Sequence, residues 1–146
     1  TATRAAARLG VRAIGVDPTP MMFTVARMLT KGAIRERISW REGLAEAIPV
    51  DDAEATVVFA IRSAHHFDDP SSAFAEMRRV LVPGGRVVIV ERALRTKSGL
   101  RHGHGFSPDG AEEMAKELES SGFDQVKVET RRTRRGAMVV LTARRP

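Results

Sequence analysis

Asp17 is placed where a carboxylate could bind a ligand. It directly follows the apolar run VRAIGV at 11–16, which predicts a β-strand. Ligands of open α/β sheets bind beyond the carboxyl ends of the strands, and an acid at such an end can accept hydrogen bonds from both hydroxyls of an adenosine ribose. The alternative is structural: Asp17 helps to cap the helix predicted to begin at Pro20.

His65 and His66 form a second candidate group. They follow the apolar run TVVFA at 56–60, which is another predicted strand. Because histidine changes its charge near neutral pH, either ring could take a proton from a substrate and act as a general base. In the structural alternative, one ring packs against Phe67 and the other shapes the turn into Asp69. Both histidines are therefore candidate catalytic residues.

His102 and His104 form an H-x-H pair. Two imidazoles on one side of an extended segment could hold a metal ion, but no third ligand is apparent nearby, so no metal site is predicted. We expect the pair to line a substrate pocket or to face water. Glu91, just beyond a Val-rich predicted strand, either orients a substrate or forms a salt bridge with Arg92 or Arg95.

Glycines and prolines mark the elements that would position these side chains. A residue that can take a positive φ is expected after each of the predicted helices, and glycines stand there at Gly10, Gly32, Gly84 and Gly122. A capping residue followed by proline starts three helices, at Thr19-Pro20, Asp69-Pro70 and Ser107-Pro108. The stretch 92–107, rich in Arg, Gly and His, is predicted to be a surface loop.

Apolar residues at helical spacing predict one buried face on each of three helices. The residues expected in the core are Met21, Val25, Met28 and Leu29 in one helix, Phe74, Met77 and Leu81 in the next, and Met114 and Leu118 in the last. The continuous runs at 56–60 and 87–90 are typical of central strands covered by helices on both faces. The alternation around Val126 and Val128 predicts a half-exposed strand before a final hairpin.

The order of the predicted elements is helix, strand, helix, strand, strand, helix, strand, helix, strand, strand. This alternation predicts an α/β, Rossmann-like fold with a doubly wound, mostly parallel sheet, helices on both faces and a C-terminal antiparallel hairpin. A chain of 146 residues is long enough for one domain with a single sizeable core.

The position of Asp17 also predicts that the first strand of this fold is absent from the chain. In dinucleotide-binding folds the acid lies roughly 20 residues beyond a glycine-rich loop, whereas 16 residues precede Asp17. We therefore expect an N-terminally truncated domain. The neighbours of a missing central strand would expose unpaired backbone groups, which strand exchange or a homodimer would cover.

Composition excludes several classes of function. The absence of cysteine excludes disulfides, thiolate metal sites and cysteine nucleophiles. No apolar run approaches the roughly 20 residues that span a bilayer, so we expect no membrane partner and a cytoplasmic location. The net charge of +6 indicates a solvated basic face, with contact to RNA or DNA as the alternative. The arginines that cluster near the end are Arg131, Arg132, Arg134, Arg135, Arg144 and Arg145.

Several strings, in their order and spacing, carry a resemblance to a known family. They are VDPTPMMFTVAR, REGLAEAIPVDDAEATVVFA, HHFDDP and EMRRVLVPGGRVVIVE. Together they closely resemble class I S-adenosylmethionine-dependent methyltransferases of the small-molecule, ubiquinone-biosynthesis type. The resemblance is strong over residues 1 to about 91 and looser beyond. It implies one methyltransferase domain over 1–146 that lacks the family's N-terminal strand and glycine-rich motif.

The resemblance implies a cofactor site for S-adenosylmethionine. Asp17 matches the ribose-binding acid, flanked by Pro18 and Thr19. Residues 42–45, and within them Gly43, Leu44 and Ala45, match the turn whose backbone meets the adenine. Many relatives place an Asp where Leu44 stands, so one adenine contact is lost here. Ala60, Ile61 and Arg62 match the turn beneath the sulfonium and its methyl group.

The implied function is methyl transfer from S-adenosylmethionine to a small-molecule acceptor by in-line displacement. Alignment of acceptor, methyl and sulfur does most of the work, because a sulfonium is already a good leaving group. One alternative is a catalytically inactive binding protein that contacts RNA through the arginine-rich hairpin at 131–135. A weaker one is a nicotinamide dehydrogenase, whose ribose Asp17 would suit equally well.

Overall fold

The computed structural model describes residues 2–94 and 104–146. In these residues the elements are α1 (Ala2–Arg8), β1 (Ala13–Asp17), α2 (Pro20–Met28), β2 (Ile38–Glu42), β3 (Ala55–Ile61), α3 (Pro70–Val80), β4 (Leu81–Arg92), α4 (Pro108–Ser120), β5 (Asp124–Thr133) and β6 (Gly136–Arg144). Short 3-10 helices lie at Gly32–Arg37 and Ala64–His66. The order of helices and strands is the predicted one.

The three predicted helix starts are confirmed, since α2, α3 and α4 each begin at the expected proline. Asp69 Oδ1 accepts a hydrogen bond from the Ser71 N–H at 3.1 Å, and Ser107 Oγ accepts one from the Gly110 N–H at 3.1 Å. These bonds satisfy N–H groups that have no partner within the helix. The side chain of Thr19 makes no such bond, so α2 starts without a side-chain cap of its own.

The strands of the described residues form two sheets. β1 and β2 pair in parallel, and the second sheet has the order β3, β4, β6, β5. β3 and β4 are parallel, whereas β6 runs antiparallel to both of its neighbours. Two parallel units linked by helices, closed by an antiparallel hairpin, confirm the predicted Rossmann-like α/β class. The Pro-Gly-Gly-Arg segment lies within β4, just before its Val-rich run, and β4 is an inner strand of its sheet, as predicted.

The main hydrophobic core joins the four-stranded sheet to α3 and α4. Residues on one face of β4 alternate into it, as the period of a strand requires. The residues predicted to be buried on α3 and α4 are buried, although Leu81, predicted as part of α3, is the first residue of β4. The larger members of the core are Phe67, Phe74, Met77, Leu81, Val87, Ile89, Phe106, Met114, Leu118, Phe123, Val139 and Leu141.

The predicted buried stripe of α2 is wrong. Met21 and Met28 are 73% and 72% exposed, and Val25 and Leu29 are exposed as well. The helix instead buries Phe23 and Ala26, a different face of the same sequence. Phe23 contacts Trp40 of β2, with ring centroids 6.2 Å apart. Helical spacing was predicted correctly, but the face that a helix buries depends on which elements cover it.

β3 also differs from its prediction as a strand covered on both faces. In the described residues it lies at the edge of the second sheet and pairs with β4. Val57 and Ile61 are exposed, and Ala60 is the strand's fully buried residue. β4, with a neighbour on each side, is the strand that fits the prediction for a central position.

An ion-pair network anchors the segment between β2 and β3 to α3. The Arg79 guanidinium donates to both carboxylate oxygens of Glu76, at 2.7 and 2.8 Å, and to Asp52 at 2.6 Å. It also donates to the carbonyls of Ile48 and Val50. The hydrogen bond from Arg79 holds the pKa of Glu76 below its ordinary value. One side chain on α3 thus fixes the linking segment in position.

Two of the clustered arginines near the end have structural partners. The Arg145 guanidinium closes the end of α3 by donating to the carbonyls of Arg78, Arg79 and Leu81. Arg131 pairs with Glu129 on its own strand at 2.8 Å. In residues 2–94 and 104–146, no helix is long and apolar enough to cross a membrane.

Candidate functional site

Asp17 lies at the carboxyl end of β1, where the sequence placed it. Its Oδ1 accepts a hydrogen bond from the Thr19 N–H at 2.8 Å, so the carboxylate stabilises the turn into α2. This is the structural role that the alternative reading expected. Within the described residues nothing donates to Oδ2, and Asp17 is half-buried. The carboxylate therefore combines a structural bond with an oxygen that can accept from a ligand.

The turn after β2 lies beside Asp17. The carboxyl ends of β1 and β2 are paired, and the Gly43 N–H donates to the Asp17 carbonyl at 3.3 Å. A Cβ at Gly43 would lie 2.6 Å from Pro49 Cδ, so this close turn requires glycine. Leu44 is 48% exposed and Ala45 packs against the main core. The structure thus brings the predicted ribose and adenine residues to one sheet edge.

The turn after β3 contains a strained residue. Arg62 has φ +57, a value that few residues other than glycine adopt. Its N–H donates to the Val90 carbonyl at 2.8 Å, which holds the turn against β4. Ala60 is buried and Ile61 is exposed. Strained backbone of this kind collects at functional sites, and here it falls on a residue predicted to line one.

Glu46 links the turn after β2 to the segment that follows the histidines. Its Oε1 accepts from the backbone N–H groups of Asp68 at 2.9 Å and Asp69 at 3.3 Å. Charge-assisted bonds to backbone donors are stronger than neutral ones. One carboxylate therefore ties the turn after β2 to the segment that follows the histidines.

Glu91 forms the buried centre of the second group. It is 0% exposed, and it accepts from the backbone N–H of His65 at 3.3 Å and contacts His65 Nδ1 at 3.0 Å. The His65 side chain is 6% exposed. The predicted salt bridge of Glu91 with Arg92 is not formed, because the carboxylate points into the core while Arg92 is exposed. Arg95, the other predicted partner, lies outside the described residues.

His104 joins the histidines that follow β3. His104 Nδ1 lies 3.3 Å from His65 Nε2, and the rings of His65 and His66 have centroids 4.0 Å apart. The expectation that no third ligand lies near the H-x-H pair is therefore wrong. His102, the other member of that pair, lies outside the described residues. Three histidines separated by up to 39 positions form one cluster that could hold a metal ion.

The end of the predicted surface loop is also buried. Phe106 is 0% exposed and Ser107 is 1% exposed. The Phe106 N–H donates to the Arg92 carbonyl and the Leu94 N–H donates to the Phe106 carbonyl, so residues 104–107 return to the end of β4. Residues 95–103 lie outside the described part of the chain.

Part of this second group could have been found from the sequence. His65 follows β3 and Glu91 lies near the carboxyl end of β4, and the carboxyl ends of adjacent parallel strands meet at one edge. Nothing in the sequence indicated that Glu91 is buried, because glutamate is rarely buried unless it is paired. The H-x-H pattern singled out His104, but not its contact with His65, since that contact depends on where the chain returns after β4.

Comparison with known proteins places the chain in a family. A family model described as a methyltransferase domain matches residues 1–89, more than half of the chain. The demethylmenaquinone methyltransferase of Deinococcus radiodurans is 38% identical over 81 residues, which cover 56% of this chain and 33% of that protein. The chain spans about a third of the length of the curated relatives that it matches.

Solved structures share the fold. The [4+2]-cyclase SpnF superposes with a TM-score of 0.81 at 18% identity, over 97% of this chain and 70% of that one. An S-adenosylmethionine-dependent methyltransferase of Thermotoga maritima gives a TM-score of 0.68 at 21% identity, over 97% and 76%. At these identities the likeness establishes the fold alone, and one of the two proteins is named as a cyclase. With the family model and the fold taken together, the chain belongs to the class I S-adenosylmethionine-dependent methyltransferases.

Proposed function

We propose that this chain binds S-adenosylmethionine and that the protein transfers its methyl group to a small-molecule acceptor by in-line displacement. Family membership supports the reaction class. The observation that carries the proposal for this chain is the carboxylate of Asp17, which lies at the carboxyl end of a parallel strand with Oδ2 unpartnered among the described residues.

Asp17 suits an adenosine ribose for a chemical reason. A carboxylate only accepts hydrogen bonds, and the two neighbouring ribose hydroxyls can each donate one. Because Oδ1 already accepts from Thr19, the carboxylate is held in one orientation before a ligand arrives. That preorganisation lowers the entropy lost on binding. Pro18 and Thr19 are exposed next to it and complete the proposed ribose contacts.

The remaining cofactor contacts are proposed on the turns after β2 and β3. Backbone groups of Gly43, Leu44 and Ala45 would meet the adenine, and the exposure of Leu44 leaves an apolar surface against which a base can pack. The turn of Ala60, Ile61 and Arg62 would lie beneath the sulfonium. Support comes from the pairing of β1 with β2, which puts the turn after β2 beside Asp17, and from the Glu46 bond to Asp68, in the segment that follows the histidines.

When bound, S-adenosylmethionine supplies a methyl group activated by its sulfonium. The chain's own part is then to fix the cofactor and acceptor in line, to exclude water, and to accept a proton where the acceptor carries one. His65 and His66 stay the candidate catalytic residues, on the ground that they follow β3 directly after the turn of Arg62. No observation favours the inactive RNA-binding alternative over methyl transfer.

Isothermal titration calorimetry with S-adenosylmethionine and its demethylated product tests the proposal on the chain itself. We expect Asp17→Asn to weaken binding about tenfold to a hundredfold, since hydrogen bonds to a charged acceptor are worth roughly 1.5–3 kcal/mol and 1.4 kcal/mol is a factor of ten. The amide oxygen can still accept from Thr19, so the turn should persist. Asp124→Asn, an exposed carboxylate at the start of β5, is the matched control.

Two outcomes would overturn the proposal. One is the absence of any heat with either ligand for the folded wild-type chain. The other is equal affinity of wild type and Asp17→Asn, which would mean that Asp17 stabilises the turn into α2 and does not contribute to cofactor binding. Urea unfolding of each variant, monitored by circular dichroism, verifies that a loss of binding is not a loss of fold.

A further inference from the structure

The cluster of His65, His66 and His104 has the form of a metal site. One nitrogen from each ring lies within 4.8 Å of the other two. His65 Nε2 and His104 Nδ1 are 3.3 Å apart. Nitrogen ligands at 2.0–2.1 Å from a tetrahedral zinc are separated by about 3.3–3.4 Å. The spacing of this pair therefore already matches one edge of such a coordination shell.

The buried carboxylate behind His65 supplies a second and independent observation. Metal-binding histidines commonly donate their other ring N–H to a carboxylate, which fixes the ring and its tautomer. Glu91 contacts His65 Nδ1 at 3.0 Å. A proton on Nδ1, donated to Glu91, leaves a lone pair on Nε2, the nitrogen that faces His104. The ring is thus oriented with a ligand atom toward the cluster.

The negative charge of the buried Glu91 carboxylate also favours a cation at this cluster. Glu91 is 0% exposed, and a buried carboxylate is costly unless a positive charge compensates it. Among the described residues, the Glu91 carboxylate contacts the backbone N–H and the ring of His65. A divalent cation on Nε2 would supply the compensating charge through the ring. The exposed faces of His66 and His104 give that cation a path from solvent.

The backbone holds His104 in place beside the other two. Gly105 lies so close to β4 that a Cβ there would be 2.3 Å from the Arg92 carbonyl oxygen. The paired bonds of Phe106 with Arg92 and Leu94 secure this approach. His104 is therefore carried on a segment tied to the same strand end as Glu91, and its place in the cluster follows from that strand.

We propose that His65, His66 and His104 bind one divalent transition-metal cation, zinc above all, with Glu91 positioning His65. Imidazole nitrogens suit zinc, copper, nickel and iron, whereas magnesium and calcium prefer oxygen ligands. Three protein ligands leave a fourth position for water or for an oxygen of a bound molecule. This inference does not depend on the proposed methyl transfer, because the cation can be detected with no cofactor present. A ring nitrogen that binds a cation cannot also accept a proton, so in the metal-bound protein His65 and His66 would act as ligands and not as general bases.

Zinc titration of the tag-free chain, in competition with a chromophoric chelator, is the test. We expect one zinc per chain, no competition by magnesium, and visible bands typical of tetrahedral coordination when cobalt replaces zinc. His104→Ala should weaken zinc binding at least tenfold, and Glu91→Gln should weaken it about tenfold to a hundredfold. His104 is exposed, so its removal should leave the fold unchanged.

His102→Ala, two positions from His104 in the sequence and outside the described residues, is the matched control. We expect it to bind zinc like the wild type. The proposal is overturned if the wild-type chain binds no zinc, in which case His104 simply donates a hydrogen bond to His65. It is also overturned if His104→Ala binds as tightly as the wild type, or if His102→Ala alone abolishes binding.

Discussion

The region of residues 2–42 and the region of residues 55–144 have similar sequence patterns but very different burial. Both alternate helices with short apolar strands. Every residue of the main core lies in the second region, whereas the first exposes a row of large apolar side chains. These are Leu9, Val11, Met21, Met22, Val25, Met28 and Leu29.

Strand pairing explains the difference. In the second region β4 has a neighbour on each side, and α3 and α4 pack with that sheet to enclose a core. In the first region β1 pairs only with β2 among the described residues. The buried apolar residues there include Ala7 of α1 and Phe23 and Ala26 of α2, and Phe23 contacts the ring of Trp40. An apolar stripe therefore predicts a helix, but the stripe is buried only where another helix or a sheet covers it.

The largest expected effect is the loss of a core aromatic side chain. Phe74→Ala should reduce the free energy of unfolding by about 3–5 kcal/mol, because Phe74 is 0% exposed and its removal leaves a cavity. Met28→Ala, at 72% exposure in the other region, should cost less than about 0.5 kcal/mol. Urea unfolding followed by circular dichroism measures both. Equal costs would contradict the contrast between the regions.

A smaller effect is expected in the first region at Gly15. A Cβ there would lie 2.3 Å from the ring of Trp40, so Gly15→Ala should displace that ring at a cost of about 1–3 kcal/mol. Trp40 is the only tryptophan in the sequence, and its fluorescence reports on this region alone. We expect the fluorescence transition to move to lower urea while the circular dichroism transition moves less. Equal shifts would mean that the two regions unfold as one unit.

The N-terminal caps of α2 and α4 allow a third comparison of the two regions, with expected changes in the free energy of unfolding of about 1 kcal/mol or less. Ser107→Ala removes the oxygen that accepts from Gly110 at the start of α4 and should cost about 1 kcal/mol. Thr19→Ala should cost less than about 0.5 kcal/mol, because the Thr19 side chain makes no cap bond on α2. Thermal unfolding of both variants distinguishes them. A larger loss for Thr19→Ala would reverse the comparison.

The smallest expected effect concerns the segment that links the regions. The hydrogen bond from Arg79 lowers the pKa of Glu76 below its ordinary 4.5. A lowered folded-state pKa means that Glu76 contributes stability above about pH 4.5 and that this contribution is lost as pH falls through the lowered value. Glu76→Gln should therefore be less stable than the wild type near pH 7, with the difference shrinking below about pH 4.5.

Urea unfolding of Glu76→Gln and the wild type across this range measures the effect. Asp69, whose pKa is also lowered, mainly by its hydrogen bond from Ser72, is present in both proteins. The difference between the two curves therefore isolates Glu76. A difference that is independent of pH would show that the lost contribution is packing and not the ion pair.

Local features of the sequence determined the elements and most of their boundaries. The prolines at 20, 70 and 108 start the three helices, and glycines 10, 32, 84 and 122 all have positive φ. These features act through the backbone of a few neighbouring residues, so they can be recognised without the rest of the chain. The position of Asp17 at a strand end followed from the same local pattern.

Only the tertiary structure decided which faces are buried and which distant side chains meet. Burial of α2 through Phe23 in place of its methionines depended on where β1 and β2 lie. The contact of Glu91 with His65, and of His65 with His104, joins residues 26 and 39 positions apart. Such contacts depend on strand order and on the path of the chain after β4, which no local propensity specifies.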